Sequence, residues 1–366
     1  MVQTRKQMNS IAMYSPGKPV EELKRELGLD KVIKMASNEN PYGFSPLAEK
    51  AMMKEMKNVH YYPEITSPVL TEKLSKHLNT SAHNFIIGNG SDEIIRMITR
   101  TYLNPGEEAV MASVTFPRYK TNVLIEGGTP VEVPMRDGTH DAEAISEAVT
   151  PNTKIIFMCN PNNPTGTILG KNELLQLIQS IPPDVLVVLD EAYYEYVHTD
   201  DYLQSLDYLE DFPNLMILRT FSKVYGLASA RVGYGIAHPS IIQELLKGKE
   251  PFNVNRLAHA GALAALDDKE FMDLTLEKNE SGRLYLESQF TRLGLTYFPT
   301  HTNFIMVDLA TEAEAIYQHL LVKGIIVRPG HMMGYPTMLR VTIGKPEENE
   351  QFITALEQVL HEQVTT

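Results

Sequence analysis

The chain has 366 residues, 43% of them hydrophobic, which exceeds the size at which one hydrophobic core usually suffices. We therefore expect one large and one smaller domain. The formal net charge of −13 argues against a nucleic-acid or anionic-membrane partner, because phosphate backbones favour basic surfaces. The single cysteine, Cys159, excludes an internal disulfide bond and favours a cytoplasmic location, and no cysteine and histidine cluster has metal-ligand spacing.

Apolar runs of strand length alternate with helical patterns from about residue 81 to residue 236. This alternation predicts an α/β fold whose mostly parallel sheet has helices on both faces. Apolar residues at three-to-four spacing predict helices such as Asp92–Leu103 and Lys171–Ser180 between the strands. The seven predicted strands are Phe85–Ile87, Ala109–Ala112, Pro130–Val133, Lys154–Cys159, Val185–Asp190, Leu215–Leu218 and Val232–Ala237.

The pattern changes after Asn253. A long helical region, Val254–Leu293, is placed to bridge two domains. Shorter strands and helices follow it and predict a compact α+β piece. Its predicted elements are the strands Leu295–Phe298, Asn303–Leu309, Ile325–Arg328 and Met338–Ile343, the helix Glu312–Lys323, and a terminal helix from Pro346.

Lys223 lies between two hydroxyl residues in the segment TFSKVYGLASARVG, residues 220–233. A lysine amine can form a Schiff base with an aldehyde, while Thr220, Ser222 and Arg231 can donate hydrogen bonds to phosphate oxygens. The segment therefore indicates a site for a phosphorylated aldehyde. Taken alone, it also fits a solvated lysine in a polar loop before a strand.

Two tracts upstream of this segment end predicted strands with polar residues. The run Val185–Asp190 is apolar up to its final carboxylate, and such strands usually lie in parallel sheets whose carboxyl ends open onto a ligand crevice. We therefore expect Asp190 to point at a site. The strand Lys154–Cys159 is followed by NPNNPTG at residues 160–166, in which two prolines and a glycine predict a rigid turn.

These three tracts, in this order and spacing, resemble those of the fold-type I pyridoxal phosphate enzymes, specifically the class II-like aminotransferases. The resemblance covers nearly the whole chain and includes PGKP at 16–19, KMASNENPYG at 34–43, YP at 62–63, GNGSDE at 88–93, GIIVRPG at 324–330 and LRVTIG at 339–344. It implies a pyridoxal 5'-phosphate cofactor and a homodimer. It also implies a large cofactor-binding domain at residues 45–265, a small domain at residues 266–366, and an N-terminal segment, residues 1–44, that associates with the small domain.

The resemblance assigns roles around the cofactor ring. Lys223 would hold the cofactor and later move a proton, and Asp190 would keep the ring nitrogen protonated. Tyr193 and Asn163 would hydrogen-bond the phenolic oxygen, and Phe116 would stack on the ring face.

The resemblance also assigns the cofactor phosphate to two groups of donors. One is the start of a predicted helix, where backbone N–H groups favour anions, and the other is the lysine segment. A tyrosine of the neighbouring subunit would complete the set. These residues are Gly90, Ser91, Asp92, Thr220, Ser222, Arg231 and Tyr62.

Substrate binding is assigned in the same way. Arg340 resembles the arginine that binds a substrate anion, and Arg328 is expected to be a second clamp, because a planar guanidinium binds carboxylate or phosphate with two hydrogen bonds. The segment containing Asn40, Tyr42 and Gly43 is expected to close over the substrate as part of a lid.

Within this family the chain most resembles the histidinol-phosphate branch. That implies transamination between L-histidinol phosphate and 2-oxoglutarate, giving imidazole acetol phosphate and L-glutamate, in histidine biosynthesis. Transamination of phenylalanine or tyrosine stays open, because imidazole and phenyl rings make similar demands on an apolar pocket. Phosphothreonine-type decarboxylases share the scaffold, but NENP at residues 38–41 stands where those lyases carry His-Gly-Gly. A cofactor-binding transcription regulator would need a further DNA-binding domain.

Overall fold

The structure is a computed structural model that describes residues 2–11, 13 and 17–364, so Pro16 of the 16–19 motif lies outside the described residues. The strands are β1 Ile33–Lys34, β2 Phe85–Gly88, β3 Glu108–Ala112, β4 Thr129–Val133, β5 Thr153–Cys159, β6 Leu186–Asp190, β7 Leu215–Thr220, β8 Gly233–Ala237, β9 Thr296–Tyr297, β10 Phe304–Asp308, β11 Ile325–Ile326, β12 Arg328–Pro329 and β13 Met338–Thr342.

The α-helices and shorter 3₁₀ helices connect these strands. The α-helices are α1 Val20–Leu27, α2 Pro46–Glu55, α3 Pro68–His77, α4 Ser91–Tyr102, α5 Arg118–Glu126, α6 Ala142–Glu147, α7 Lys171–Ser180, α8 Pro239–Gly248, α9 Arg256–Ala265, α10 Lys269–Arg292, α11 Ala313–Val322 and α12 Pro346–Val364. The 3₁₀ helices cover Lys6–Ser10, Met56–Asn58, Ala82–Asn84, Tyr194–Tyr196, Ser205–Tyr208, Ala228–Ala230 and Gly330–Met333. Within the described ranges, no helix combines the length and the apolar composition needed to cross a membrane.

The largest sheet has seven strands in the order β2-β8-β7-β6-β5-β3-β4. The pairs from β7 to β4 are parallel, and β8 is antiparallel to both of its neighbours. The predicted mostly parallel seven-stranded sheet is confirmed, and each predicted strand end lies within two residues of the observed one.

Buried apolar residues cover both faces of this sheet. Side chains alternate between faces along a strand, so Ile156 and Val187 pack in one hydrophobic cluster while Phe157 and Val188 pack in the other. Helices α4, α5 and α8 contribute to the second cluster, and α3, α7 and α9 contribute to the first. The central strands β5 to β7 are therefore buried from both sides, as their apolar sequence predicts.

The C-terminal part has its own sheet, ordered β12-β13-β10-β9, and a separate hydrophobic cluster. Ile33 and Met35 join that cluster, and β1 pairs in parallel with β11. The helical region predicted over residues 254–293 is two helices, because the Asp268 side chain caps the start of α10 by accepting a hydrogen bond from the Phe271 N–H at 3.1 Å.

Helix α10 contacts two hydrophobic clusters along its length. Met272 and Leu276 pack against the large sheet's cluster, whereas Leu286 and Phe290 belong to the C-terminal one. The helix therefore connects the two packed regions.

Candidate active site

The carboxyl ends of β5, β6 and β7 meet at one edge of the large sheet, where Cys159, Asp190 and Thr220 are the last strand residues. They open onto a cavity of about 120 Å³, which we call the inner cavity. Most of the predicted cofactor site lies here. The inner cavity is lined by Ser91, Asp92, Phe116, Cys159, Asn163, Asp190, Ala192, Tyr193, Thr220, Ser222, Lys223 and Arg231.

A second cavity of about 390 Å³, the outer cavity, adjoins the first. Phe116, Asn163 and Lys223 line both cavities, so the lysine stands at their junction. Arg328 and Arg340 line the outer cavity only. The structure therefore places the predicted substrate arginines and the predicted cofactor residues on the two sides of Lys223.

The Lys223 amine faces the inner cavity with few partners. Its Nζ lies 3.5 Å from the Asn38 carbonyl oxygen and 5.5 Å from the centroid of the Tyr193 ring. Removal from water, together with the positive charges of Arg340 and Arg231, lowers the pKa of Lys223 to about 8. A substantial fraction of the amine is therefore neutral near pH 8 and able to act as a nucleophile or base.

Asp190 is buried at the end of β6, with one neutral donor on each carboxylate oxygen. The Tyr119 hydroxyl donates to Oδ2 at 2.6 Å, and the Ala192 N–H donates to Oδ1 at 3.2 Å. Burial raises the pKa of Asp190 to about 6, while the Tyr119 hydrogen bond opposes that rise. None of the ion pairs in the described part of the chain includes Asp190. A buried carboxylate without a cation is suited to bind a cationic group of a ligand.

The Tyr193 hydroxyl accepts two hydrogen bonds, from Asn38 Nδ2 at 2.9 Å and from Asn163 Nδ2 at 3.3 Å. Its oxygen is therefore held while its own proton stays available to an acceptor in the cavity. Burial raises the pKa of Tyr193 above its ordinary value, so the phenol is neutral and can donate. Asn38 was missed as a contributor to the site, although it belongs to the KMASNENPYG motif.

Hydrogen-bond donors that could bind an anion lie together around Arg231, at the start of α4. Arg231 Nη1 donates to Ser222 Oγ at 3.3 Å, and Thr220 Oγ1 accepts from the Ser222 N–H at 3.1 Å. The residue before α4 is Gly90 with φ of 76°, and a Cβ there would lie 2.3 Å from Arg231 Nη2. A glycine is therefore required for the guanidinium to reach the N-terminus of α4, where backbone N–H groups favour an anion.

Asp92 stands beside this cluster. Its Oδ2 lies 3.7 Å from Arg231 Nη2, while its Oδ1 is buried without a hydrogen-bond partner among the described residues. An unsatisfied buried oxygen is costly and is expected to be met by a donor from a bound molecule. The donors around Arg231, and the lack of an ion-pair partner for Asp190 among the described residues, together fit a ligand with an anionic end and a cationic ring.

Arg340 and Arg328 occupy directly opposite positions on β13 and β12, so their side chains leave the same face of the small sheet. Arg340 Nη1 donates to Asn163 Oδ1 at 2.7 Å, and Nη2 donates to the Ala36 carbonyl at 2.8 Å. Two guanidinium groups in one cavity give it a strong preference for anions.

Tyr62 and the predicted lid residues lie elsewhere. Tyr62 is 79% exposed, stacks on Phe252 with ring centroids 4.6 Å apart, and lines neither cavity. Asn40 Nδ2 donates to the Val224 carbonyl at 2.9 Å, directly behind the lysine.

The other two lid residues line neither cavity, and Gly43 packs against the lysine loop. The Asn40 Oδ1 accepts from the Tyr42 N–H at 3.0 Å. The Gly43 carbonyl lies so close to Gly226 that a Cβ there would be 1.9 Å from it. Substrate contact by Asn40, Tyr42 and Gly43 stays a prediction, as does the partner role of Tyr62.

The fold and the site together define a class of protein. A mostly parallel seven-stranded sheet carries a lysine after β7, a carboxylate at the end of β6 and an anion cradle at the start of α4. This is the arrangement of the fold-type I pyridoxal phosphate-dependent transferases. A family model described as aminotransferase class I and II matches residues 30–356, and the chain belongs to this family.

Known proteins with similar sequences or structures match this chain over almost its full length. The chain is 47% identical over 361 residues to a histidinol-phosphate aminotransferase of Bacillus velezensis, covering 98% of this chain and 100% of that protein. It is 49% identical over 352 residues to a histidinol-phosphate aminotransferase of Moorella thermoacetica, covering 96% of this chain and 91% of that protein. The crystal structure of histidinol-phosphate aminotransferase from Sinorhizobium meliloti, in complex with pyridoxal-5'-phosphate, superposes with a TM-score of 0.92 at 29% identity and covers 99% of both chains.

Proposed function

We propose that the chain transfers the amino group of L-histidinol phosphate to 2-oxoglutarate, giving imidazole acetol phosphate and L-glutamate, with pyridoxal phosphate as cofactor. The observation that carries this proposal is the pair Arg328 and Arg340 in the cavity next to Lys223. Both substrates present an anion, a phosphate in one and carboxylates in the other. The names of the relatives at 47% and 49% identity support the same reaction.

Each cofactor-site residue has a role that follows from its position. Pyridoxal phosphate, when bound, supplies an aldehyde that takes up the amino group and a ring that accepts the electrons freed at the α carbon. Lys223 would hold it, with Thr220, Ser222, Arg231 and the Gly90–Ser91 backbone at its phosphate. Phe116 would support the ring face.

Proton handling falls to three side chains. Once a substrate amine has displaced it, the Lys223 Nζ would take a proton from the α carbon of the bound substrate and deliver it to the cofactor carbon that carries the transferred nitrogen. Asp190 would keep a negative charge beside the ring nitrogen, which would stabilise the proton there. The Tyr193 hydroxyl would donate its hydrogen bond to the phenolic oxygen of the cofactor, while Asn163 and Asn38 hold the tyrosine in place.

The outer cavity would bind the two substrates in turn. Arg340 would clamp an anionic group of either one, and Arg328 the phosphate in particular. Phe116, Met332 and Met333 give that cavity an apolar wall for the imidazole ring. Because such a wall also suits a phenyl ring, phenylalanine and tyrosine are the second candidate substrates.

A homodimer would complete the site with Tyr62 of the second copy. The support is a group of exposed apolar side chains on one stretch of the chain, which a monomer would leave in water. These side chains are Met53, Met56, Val59, Tyr61, Tyr62, Ile65 and Val69.

The other proposed partners of the chain are its small-molecule substrates. The proposed location of the protein is the cytoplasm.

The domain division is part of the same proposal. Residues 45–265 would form the large cofactor-binding domain and residues 266–366 the small one, with residues 1–44 joining the small domain. Two separate hydrophobic clusters and the pairing of β1 with β11 support this division.

A substrate panel tests the function. Purified protein with pyridoxal phosphate is given histidinol phosphate, phenylalanine, tyrosine or aspartate, each with 2-oxoglutarate, and kcat/KM is compared. We expect histidinol phosphate to give the highest value. A large preference for phenylalanine or tyrosine would make the histidine assignment wrong and leave the transamination chemistry standing. Phosphothreonine is assayed separately, and release of carbon dioxide from it without glutamate formation would instead identify a lyase.

A further inference from the structure

Tyr119 contacts the Asp190 carboxylate but has no part in the assignments above. The residue is completely buried in α5, and its hydroxyl donates to Asp190 Oδ2 at 2.6 Å. Its ring is nearly parallel to the Phe157 ring, with centroids 4.8 Å apart, and meets the Phe116 ring edge-on at 5.6 Å. Packing therefore fixes the phenol with its hydroxyl at the carboxylate.

The two donors to Asp190 act differently. The Ala192 N–H belongs to the turn just after β6 and holds Oδ1 at 3.2 Å, whereas Tyr119 comes from a helix on one face of the sheet and holds Oδ2. Two donors from different directions fix the plane of a carboxylate. A hydrogen bond to the charged form also favours that form.

The other titratable and charged groups around Asp190 do not supply this support. Asp92 from α4 and Glu191 from the same strand end are negative and oppose ionisation of Asp190. Burial keeps the Cys159 thiol of β5 protonated by raising its pKa. The remaining groups that line the cavity are Tyr193, Lys223 and Arg231.

We propose that Tyr119 is a positioning residue that acts through Asp190, fixing that carboxylate and keeping it charged for the cationic ring expected in the inner cavity. The inference rests on the proposed function, because Asp190 needs a charge only if such a ring binds beside it. The burial that raises the pKa of Asp190 to about 6 makes this support necessary near neutral pH.

The test measures the affinity for pyridoxal phosphate between pH 5 and pH 8 in chains that all carry Lys223→Ala. This background is needed because removal from water lowers the pKa of Lys223 to about 8, and its titration would overlap. With Tyr119 present, affinity should fall below about pH 6, where Asp190 takes up a proton. Tyr119→Phe should raise the pH at which the affinity falls by about one pH unit or more. Toward pH 8 the affinity of this variant should return to that of the chain with Tyr119.

Four further variants separate positioning from packing. Asp190→Asn should abolish the fall, and adding Tyr119→Phe to it should change the affinity no further. Tyr202→Phe is the matched control, because the buried Tyr202 hydroxyl donates to the Asn160 carbonyl at 2.6 Å and its loss should lower Tm without moving the fall. Incorporating 3-fluorotyrosine at position 119, a more acidic phenol, should move the fall to lower pH.

The outcomes distinguish this inference from the proposed function. If Tyr119→Phe weakens binding equally at every pH, or weakens it in the Asp190→Asn chain as well, Tyr119 only packs and the inference is wrong. If the fall depends on Asp190 but not on Tyr119, the inference again fails while the proposed function stands. If the unsubstituted chain binds no pyridoxal phosphate at any pH, the proposed function itself is overturned.

Discussion

Asp190 and Glu191 are adjacent buried carboxylates whose surroundings differ completely. Asp190 faces the inner cavity with only neutral donors on its oxygens. Glu191 faces the other way and forms an ion pair with the buried Arg219, with its Oε2 2.8 Å from Nη2 and 2.9 Å from Nε. Ser205 also donates to Glu191 at 2.5 Å. A buried carboxylate that is paired with a cation of the protein stabilises the fold, whereas a buried carboxylate without a cation can bind a cationic group of a ligand.

This comparison extends to the side chains nearby. The Arg219 guanidinium lies 3.6 Å from the centroid of the Tyr194 ring, which encloses the ion pair further. The cavity face instead carries Lys223, which has a lowered pKa and whose hydrogen-bond partner among the described residues is the Asn38 carbonyl oxygen at 3.5 Å. We expect changes on the cavity face to reduce activity and changes on the ion-pair face to reduce stability.

The largest effect on activity is expected from Lys223→Ala. Because the proton transfer at the α carbon depends on this amine, turnover should fall by about 10³- to 10⁴-fold, while pyridoxal phosphate still binds. Steady-state kinetics and an absorbance titration with the cofactor check this. Lys247→Ala, at an exposed lysine of α8, is the control and should keep full turnover. In the unsubstituted protein, borohydride reduction followed by peptide mapping should place the pyridoxyl group on Lys223, and labelling of another lysine would refute the assignment.

Glu191→Gln should have the largest effect on stability. It leaves Arg219 charged and buried without its partner, which should lower the free energy of unfolding by about 3–5 kcal/mol. Urea denaturation measures this. Glu244→Gln breaks an exposed pair with Lys247 and should cost less than about 1 kcal/mol. Equal losses in the two variants would contradict the structural role of the Glu191 pair.

Asp190→Asn should do the opposite, reducing activity without loss of stability. Burial raises the pKa of Asp190 to about 6, so ionisation costs the folded chain stability as pH rises from about 4 through 6. The asparagine removes that cost. We therefore compare how far the free energy of unfolding drops between pH 4 and pH 8 in the absence of cofactor. This drop should be smaller in the variant than in the wild type by roughly 1–3 kcal/mol.

Activity gives the second half of that test. Loss of the charge beside the ring should slow α-proton removal by about 10²- to 10³-fold, far more than it weakens cofactor binding. Single-turnover kinetics with the amino donor measure the step. Unchanged single-turnover rates in Asp190→Asn would place Asp190 with the structural carboxylates.

The smallest change in activity is expected at the outer cavity. Arg340→Ala removes a charge-assisted contact worth about 1.5–3 kcal/mol, so kcat/KM should fall roughly tenfold to hundredfold in both half-reactions. Arg328→Ala is the matched variant on the facing strand and should impair histidinol phosphate more than phenylalanine. If both variants impaired the two substrates equally, Arg328 would not be a specific phosphate clamp.

The sequence alone predicted the strands of the large sheet and several residues at their ends. Apolar runs such as Val185–Asp190 are local signals, because a strand buried on both faces needs apolar residues throughout. The lysine segment after β7 was found for a similar reason: its chemistry lies in consecutive residues, and strand order then brings it to the cavity. The break between α9 and α10 was missed, since Asp268 caps a helix only when its side chain turns back onto the Phe271 N–H.

Tertiary structure alone decided how these residues are supported. Tyr119 reaches Asp190 across 71 positions of the chain, and Asn38 reaches Tyr193 across 155. Strand pairing places Arg328 opposite Arg340, and packing puts the Asn40 side chain behind Lys223 rather than in a cavity. Periodicity and turn residues report a residue's local environment, so they predict which elements form. The partner of a buried polar group depends on how those elements pack, and that is specified by contacts between residues far apart in sequence.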